Sequence, residues 1–308
     1  MKIFLKTDFL KEKYAKRLRS RFPDIEIITD DIMSFDCEAI ICSASFLKPQ
    51  TLDLYKNLRW IQLLSAGYDT IDINDIHQRQ ITLTNARDVY SIQIAEDVFS
   101  KILAFNRNTK QHFEHMKTGD WQYQKVTHEI AHSKVGILGT GSIAIEIAKR
   151  MKAFDAQTIG YKRTLDNVPF FDVICTKPTE LDWLYAECDY LIIALPLTTE
   201  TKHLISSAQF AKMKPSCLVI NIARGEIIDQ DALVDALRNH LIRGAALDVV
   251  TPEPLPTEHP LWYMDNVLIT PHNAGSSPHM LERLYQMVED NVHRYVNHQN
   301  LYHIIGKQ

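Results

Sequence analysis

The architecture of this chain follows from one segment, Lys134-Val-Gly-Ile-Leu-Gly-Thr-Gly-Ser-Ile-Ala-Ile-Glu-Ile-Ala-Lys149. Val135 to Leu138 is a short apolar run that predicts a buried strand. Gly139-Thr140-Gly141 predicts a tight turn. Ser142 to Met151 repeats apolar residues at the spacing of a helix, so the segment indicates strand, glycine turn and helix in that order.

This order is typical of a turn that binds a dinucleotide. Gly139 permits the turn, Gly141 lets a pyrophosphate approach the backbone, and the helix N-terminus offers its free N–H groups to the anion. Ala144 stands where a third glycine often occurs, and its small side chain still allows close packing of helix on strand. The alternative is an ordinary turn between a strand and a helix, which the bare glycine pattern does not exclude.

Length and composition limit the class of protein. A chain of 308 residues predicts about two domains, and 45% hydrophobic residues predict folded cores rather than disorder. A formal net charge of −4 gives no indication of binding to nucleic acid or to an anionic membrane. The five scattered cysteines contain no C-x-x-C pair and are expected to be reduced thiols of a cytoplasmic protein.

The N-terminus also favours a cytoplasmic location. Met1-Lys-Ile-Phe-Leu-Lys6 carries a charge inside its apolar run, which predicts a first strand and not a signal peptide. No apolar run approaches the length of a membrane span, and no metal site is expected.

Strands alternate with helices along the whole chain, which predicts parallel sheets covered by helices. The expected strands begin near residues 2, 26, 39, 60, 81, 135, 158, 173, 190, 218, 245 and 267. A helix is expected over Leu10–Phe22, another over Leu52–Leu58, and a long one from Ser91 to about Lys110 that bridges two domains. Trp121 is expected to anchor packing at the domain junction.

Four helix starts are predicted from capping residues. Thr179, Asp229 and Ser206 or Ser207 are expected N-caps. Ser277-Pro278 is expected to open the last helix, which would pack back on the first domain.

Three charged or titratable residues follow the predicted strand ends of the second half. They are Arg224, Glu253 and His272. Ligands of an open parallel sheet bind beyond the carboxyl ends of its strands, so all three are expected to face the same crevice. An arginine can bind a carboxylate at two points, and a histidine can give a proton to a new alkoxide. The set therefore predicts carbonyl reduction by hydride, although each residue alone could equally form a structural ion pair or cap.

Several motifs together resemble the D-isomer-specific 2-hydroxyacid dehydrogenases. They are Gly139-Thr-Gly-Ser-Ile-Ala144, Ala194-Leu-Pro-Leu-Thr198, Asn221-Ile-Ala-Arg-Gly225, Leu247-Asp-Val and Pro271-His-Asn-Ala-Gly275. The resemblance covers essentially the whole chain. It implies an α/β protein with two doubly wound parallel-sheet domains, in which a Rossmann dinucleotide-binding domain (103–275) is inserted in a flavodoxin-like substrate domain (1–102 and 276–308). It also implies a homodimer built on the dinucleotide-binding domains.

The resemblance further implies the role of each site residue. Arg224 would bind substrate carboxylate and carbonyl, His272 would be the acid/base, and Glu253 would orient the histidine. Ser65-Ala66-Gly67 would bind the carboxylate through backbone N–H groups, and Asp248 would contact the nicotinamide carboxamide. The implied cofactor contacts are Gly139, Thr140, Gly141, Ser142, Ile143, Lys162, Arg163, Leu195, Pro196, Thr201, Ala223, Asp248, His272 and Ala274.

The chain departs from the family pattern after the second strand of the dinucleotide-binding domain. Relatives that prefer NAD carry an acid there, whereas this chain has Lys162-Arg163-Thr164. The two bases could pair with a 2′-phosphate, so NADP(H) is expected over NAD(H). The alternative is that both are ordinary exposed cations.

The resulting hypothesis is a cytoplasmic reductase of 2-keto acids to (R)-2-hydroxy acids. Glyoxylate and hydroxypyruvate, or a branched or aromatic 2-keto acid, are candidate substrates, and the side chains near Tyr68, Val89, Tyr90 and Trp262 would choose among them. Glu253 argues against the formate dehydrogenase branch, which resembles this chain but carries glutamine there. The short C-terminus argues against a phosphoglycerate dehydrogenase with a regulatory domain. Two alternatives stay open: a nucleotide-sensing binding protein like the corepressors of this fold, and a dehydrogenase of another small anion such as phosphite.

Overall fold

The computed structural model describes residues 1–7, 11–31, 34–164 and 167–306. Within the chain, contacts define two compact units: unit 1 is Met1–Tyr90 with Ser277–Gln308, and unit 2 is Ser91–Ser276. The predicted boundary follows residue 102, whereas the observed boundary follows residue 90. The reason is the helix that starts at Ser91, which packs along another helix of unit 2.

The described residues form strands and helices in alternation. The strands are β1 Lys2–Lys6, β2 Glu26–Ile28, β3 Ala39–Cys42, β4 Trp60–Leu63, β5 Thr82–Thr84, β6 Lys134–Leu138, β7 Gln157–Tyr161, β8 Val173–Cys175, β9 Tyr190–Ile193, β10 Leu218–Asn221, β11 Gly244–Leu247 and β12 Val267–Ile269. The helices are α1 Lys11–Arg21, α2 Pro49–Leu52, α3 Ile73–Gln78, α4 Ser91–Asn106, α5 Thr109–Thr118, α6 Ser142–Ala153, α7 Pro178–Glu187, α8 Ser207–Phe210, α9 Gln230–Arg238 and α10 Met280–Val296.

Unit 1 is a parallel sheet in the order β2-β1-β3-β4-β5. This is the doubly wound order of flavodoxin-like folds. Helix α10 packs on this sheet through a buried apolar face that includes Leu284, Val288 and Val292. On the same face Asn291 donates from Nδ2 to Gln62 Oε1 of β4 at 2.7 Å, which satisfies two buried amides at once.

Unit 2 is a seven-stranded parallel sheet in the order β12-β11-β10-β9-β6-β7-β8. The strand order reverses between β6 and β9, and the turn that follows β6 is Gly139-Thr140-Gly141. In a doubly wound sheet this reversal is where a dinucleotide binds. The expected fold class, two doubly wound parallel-sheet domains of which one is a Rossmann domain, is confirmed.

Several expected helix ends were wrong. The long helix stops at Asn106, because Asn108 adopts a left-handed conformation with φ of 51°, and α5 begins at the next residue. Helix α7 begins at Pro178, so Thr179 lies inside its first turn and is not its N-cap. Helix α10 begins two residues after Pro278. Most of 52–58 is not helical, since α2 ends at Leu52.

Other expectations hold at the level of single residues. Asp229 caps α9 by accepting from the backbone N–H of Ala232 at 3.1 Å. All five cysteines are buried and free.

The start of the predicted helix at Leu10 lies outside the described residues. Trp121 does not anchor any packing within the chain, because its side chain is fully exposed.

Within the described ranges, no helix combines the length and the apolar character that crossing a membrane requires. The same residues contain no cluster of three or more His, Cys, Asp or Glu arranged to hold a metal ion.

Candidate active site

The glycine turn after β6 has the properties that a dinucleotide requires. Gly139 has a φ of 99°, and a Cβ there would lie 2.7 Å from the carbonyl oxygen of Ala194, so only glycine fits. Gly141 is exposed, and a Cβ there would meet nothing within 4 Å, so the space beside its backbone is open. Helix α6 starts at Ser142 and directs the N–H groups of its first turn toward that space. The residues present therefore fit a pyrophosphate.

The neighbouring loop after β9 is held in place by one threonine. Thr201 Oγ1 donates to the carbonyl of Pro196 at 2.7 Å and accepts from the backbone N–H of Thr198 at 2.7 Å. Leu195 is half-buried and Pro196 is exposed in this loop. These bonds fix the loop at the strand ends that flank the glycine turn.

Two cations follow β7, at the same edge of the sheet. Lys162 is half-buried, and its backbone N–H donates to the carbonyl of Cys175 at 3.0 Å. The side chain of Arg163 is exposed. Arg163 acts electrostatically on Glu200, whose pKa is lowered chiefly by the hydroxyl of Thr198 and also by this arginine. The predicted 2′-phosphate site therefore has an acid near one of its two bases.

Arg224 follows β10, in a loop that lies directly against the turn after β11. A Cβ at Gly225 would lie 2.2 Å from the carbonyl oxygen of Val250, so only glycine allows this approach. Asn221 braces the loop, donating from Nδ2 to the carbonyl of Arg224 at 2.9 Å and accepting from Ala223 N at 3.1 Å. The guanidinium donates from Nη1 to the Ala223 carbonyl at 2.7 Å. The sequence thus places the arginine beside the turn that carries Glu253.

Glu253 and His272 are in direct contact. Nδ1 of His272 and Oε2 of Glu253 lie 2.8 Å apart, and both side chains are partly exposed. The backbone N–H of Val250 donates to the other carboxylate oxygen at 3.3 Å. Because Nδ1 is the nitrogen that faces the carboxylate, Nε2 is the one that can exchange a proton with a ligand.

The backbone of His272 is held in an uncommon conformation. Its φ is 50°, in the left-handed region that residues other than glycine rarely adopt. Its N–H donates to the carbonyl of Asp248 at 2.8 Å. The loop that follows β12 is therefore fixed to the end of β11.

Asp248 completes this attachment with its side chain. Oδ1 accepts from the hydroxyl of Thr270 at 2.6 Å and from Asn273 N at 3.1 Å, and Oδ2 accepts from Ala274 N at 3.0 Å. Sequence reasoning missed this function, because residues 22 to 26 positions apart meet only through the parallel pairing of β11 with β12. Its expected contact with a nicotinamide stays a prediction.

In unit 1 the loop after β4 is braced on three sides. Ser65 Oγ donates to the Gly67 carbonyl at 2.8 Å, and Asn85 Nδ2 donates to the Ala66 carbonyl at 2.7 Å. The hydroxyl of Tyr90 donates to the Leu64 carbonyl at 2.6 Å. The expected carboxylate loop, Ser65-Ala66-Gly67, is thus held rigidly.

The other predicted pocket residues differ in exposure. Val89 is buried and Tyr68 is half-buried in unit 1. Trp262 of unit 2 is 46% exposed and donates from Nε1 to the carbonyl of Pro256 at 3.0 Å. Their roles in substrate choice stay predictions.

The chain resembles known proteins in sequence. Residues 99–274 match the model of the family described as D-isomer specific 2-hydroxyacid dehydrogenase, NAD binding domain. The chain is 35% identical over 290 residues to glyoxylate/hydroxypyruvate reductase B of Pectobacterium carotovorum subsp. carotovorum, which covers 90% of each chain.

Solved structures agree with this relationship. A D-isomer specific 2-hydroxyacid dehydrogenase family protein from Aeromonas salmonicida superposes with a TM-score of 0.88 at 29% identity, covering 99% of this chain and 98% of that one. A probable 2-hydroxyacid dehydrogenase from Rhizobium etli, solved with NADP, HEPES and L(+)-tartaric acid, gives a TM-score of 0.84 at 27% identity, covering 99% and 97%.

Proposed function

Because this chain belongs to the D-isomer-specific 2-hydroxyacid dehydrogenase family, we propose which of its residues carry the reaction of that family. The protein is an NAD(P)-dependent oxidoreductase that reduces 2-keto acids. We assign the acid/base to His272, its orientation to Glu253, and the binding of substrate carboxylate and carbonyl to Arg224. The observation that carries this assignment is the 2.8 Å contact between His272 Nδ1 and Glu253 Oε2.

The reduction needs a hydride and a proton. NAD(P)H, when bound, would supply the hydride, with its electron pair, for the carbonyl carbon. His272 gives a proton from Nε2 to the carbonyl oxygen, so that a 2-hydroxy acid forms. Glu253 accepts the Nδ1 hydrogen bond, which fixes the ring and stabilises the positive charge of the imidazolium before the proton leaves. Arg224 offers paired N–H groups to a carboxylate.

For unit 1, the proposed role of Ser65-Ala66-Gly67 is to bind carboxylate oxygens through backbone N–H groups. The bracing bonds from Asn85 and Tyr90 support this role, because they engage carbonyls of the loop and keep its backbone in one conformation.

Glyoxylate and hydroxypyruvate are the substrates we propose first, since they are named for the Pectobacterium relative. The test is the initial rate on glyoxylate, hydroxypyruvate, pyruvate, 2-ketoisocaproate and phenylpyruvate, each with NADPH and with NADH. We expect turnover with the first two and slower turnover with the bulky acids. Rates that are undetectable for the whole panel, while nucleotide still binds, would contradict the proposal.

We propose NADP(H) as the preferred cofactor. Lys162 and Arg163 support this preference, because both follow β7, where relatives that use NAD carry an acid. Arg163 is exposed and can reach a phosphate, although Glu200 competes for it.

We also propose that two copies associate through unit 2. The support is a set of exposed apolar side chains on α5 and the segment after it, which we name the apolar arm: Phe113, Met116, Trp121 and Tyr123. Trp121 is fully exposed and Tyr123 is 90% exposed. Several large apolar side chains exposed within one short stretch of chain are typical of a protein contact.

A cytoplasmic location is the last part of the proposal. It rests on the five free, buried thiols, which are typical of a reducing compartment.

A further inference from the structure

Helix α4 carries three polar side chains on one face, of which Gln93 and Lys101 are buried and Asp97 is half-buried. Gln93, Asp97 and Lys101 are spaced four residues apart, so they lie in a row along the helix. Gln93 is 4% exposed and Lys101 only 1%, although a lysine is among the residues least often buried. A helix that needed only to pack would carry apolar residues in this row.

The row faces the loop that presents His272. Gln93 Nε2 donates to the carbonyl of Gly275 at 3.2 Å, which fixes the direction of this face. One turn further along, Asp97 and Lys101 form a hydrogen-bonded ion pair. The charged groups that act on Asp97 are Lys101 from its own helix and Asp248 from the end of β11.

Two carboxylates therefore share this region with one buried ammonium. Burial raises the pKa of Asp97, the hydrogen bond from Lys101 lowers it, and the charge of Asp248 raises it again. Asp248 is itself 3% exposed, and it clamps the loop through the Thr270 hydroxyl and the N–H groups of Asn273 and Ala274.

We propose that Lys101 is a positioning residue for the reaction: its buried ammonium balances the charge of Asp97 behind the loop that Asp248 and Gln93 hold, and so keeps His272 in place. The inference rests on the proposed function insofar as His272 is the acid/base. The position of the loop itself does not depend on that role.

The test compares Lys101→Met with the double variant Asp97→Asn/Lys101→Met. Methionine keeps the length and packing of the lysine stem, and replacing a buried charge by an apolar side chain is often tolerated by the fold. The single variant leaves two carboxylates without their cation, whereas the double variant leaves only Asp248. Arg150→Met is the matched control, since it removes an i,i+4 ion pair with Glu146 on α6.

The first readout is hydrogen exchange of the peptide that spans 270–275, which needs no turnover. We expect exchange in Lys101→Met to be faster by about tenfold and to return to the wild-type rate in the double variant. The second readout is kcat/KM, which should fall in Lys101→Met and recover in the double variant, as the loop does. At the pH of maximal wild-type activity we expect a loss of up to about a hundredfold, as for a displaced catalytic group.

Unchanged exchange of the loop in Lys101→Met would overturn the proposal. A double variant as impaired as the single one would also overturn it, because packing and not charge balance would then explain the effect. The proposed function fails by a different result, near-normal rates in His272→Ala, which leaves the exchange measurement unaffected.

Discussion

At the scale of single residues, His272 is placed for proton transfer by three groups of two residues that follow β11, Glu253 and Asp248. Glu253 binds its ring, the Asp248 carbonyl binds its N–H, and the Asp248 carboxylate holds the residues that follow it. We expect His272→Ala to lower kcat by about a hundredfold to ten-thousandfold, because the proton donor is removed. Steady-state rates with NADPH and glyoxylate measure this, and cofactor affinity by fluorescence titration should change little.

His293→Ala is the control for that experiment, since His293 is an exposed histidine near the end of α10. It should leave both rate and affinity as in wild type. A His272→Ala enzyme that retained nearly full activity would show that the proton comes from another group.

The proposed preference for NADP(H) is tested at the same scale, at Lys162 and Arg163. We expect the double change Lys162→Ala/Arg163→Ala to weaken NADPH binding by about tenfold to a hundredfold, while NADH binding changes little, because charge-assisted bonds to a phosphate are lost. Dissociation constants for both nucleotides, measured by titration, test this. Equal weakening of both would remove the argument for NADP(H). Lys149→Ala, which removes an exposed lysine of α6, is the control.

At the scale of elements, the two glycines of the turn between β6 and α6 are expected to affect different properties. Gly139 should matter for the stability of the fold and Gly141 for cofactor binding. Gly139→Ala places a methyl group against the Ala194 carbonyl in a left-handed conformation, so we expect a lower melting temperature. Gly141→Ala adds a methyl group to open space, so the fold should keep its melting temperature. The same methyl group would occupy the space beside the backbone that a pyrophosphate approaches, so cofactor binding should weaken.

Thermal unfolding and nucleotide titration of both variants check this contrast. Gly306→Ala is a control in unit 1, because a Cβ there meets nothing within 4 Å. If Gly141→Ala bound both nucleotides as well as wild type does, the turn would not be the pyrophosphate site.

The same turn shows what a sequence can predict at this scale. Strand, turn and helix around Gly139 follow from local periodicity, and the structure has them as β6 and α6. The end of the helix at Asn106 does not follow from it, since 109–118 continues as helix and only the left-handed Asn108 separates the two. The periodicity of apolar residues indicates which face of a helix is apolar, but it does not indicate where a single residue adopts a positive φ.

The site could be predicted only in part, because some of its contacts depend on which strands are paired. That Arg224, Glu253 and His272 follow strand ends can be deduced from the sequence. The attachment of the His272 loop by Asp248, and the row of Gln93 and Lys101 behind it, depend on which strands and helices are neighbours. A polar residue at every fourth position of α4 was the available signal, but the apolar stripe beside it dominates the pattern.

At the scale of the whole molecule, the expectation for Trp121 failed for an instructive reason. A large aromatic side chain after a long helix was expected to pack inside the chain, yet it is fully exposed together with its neighbour Tyr123. Sequence alone does not distinguish a side chain buried by its own chain from one buried by a second copy, because both require the same apolar residues. The apolar arm is therefore where the proposed homodimer can be tested most directly.

We expect Trp121→Ser/Tyr123→Ser to convert a dimer into a monomer. Large aromatic side chains at the centre of an interface contribute about 2 kcal/mol or more each, so losing two from each copy, four in all, should weaken association by at least about a hundred-thousandfold. Light scattering after size exclusion gives the mass. Trp183→Ser is the matched control, since Trp183 is also an exposed tryptophan of unit 2 but lies on α7, outside the arm. A wild-type monomer, or a double variant that remains dimeric, would refute association through the arm.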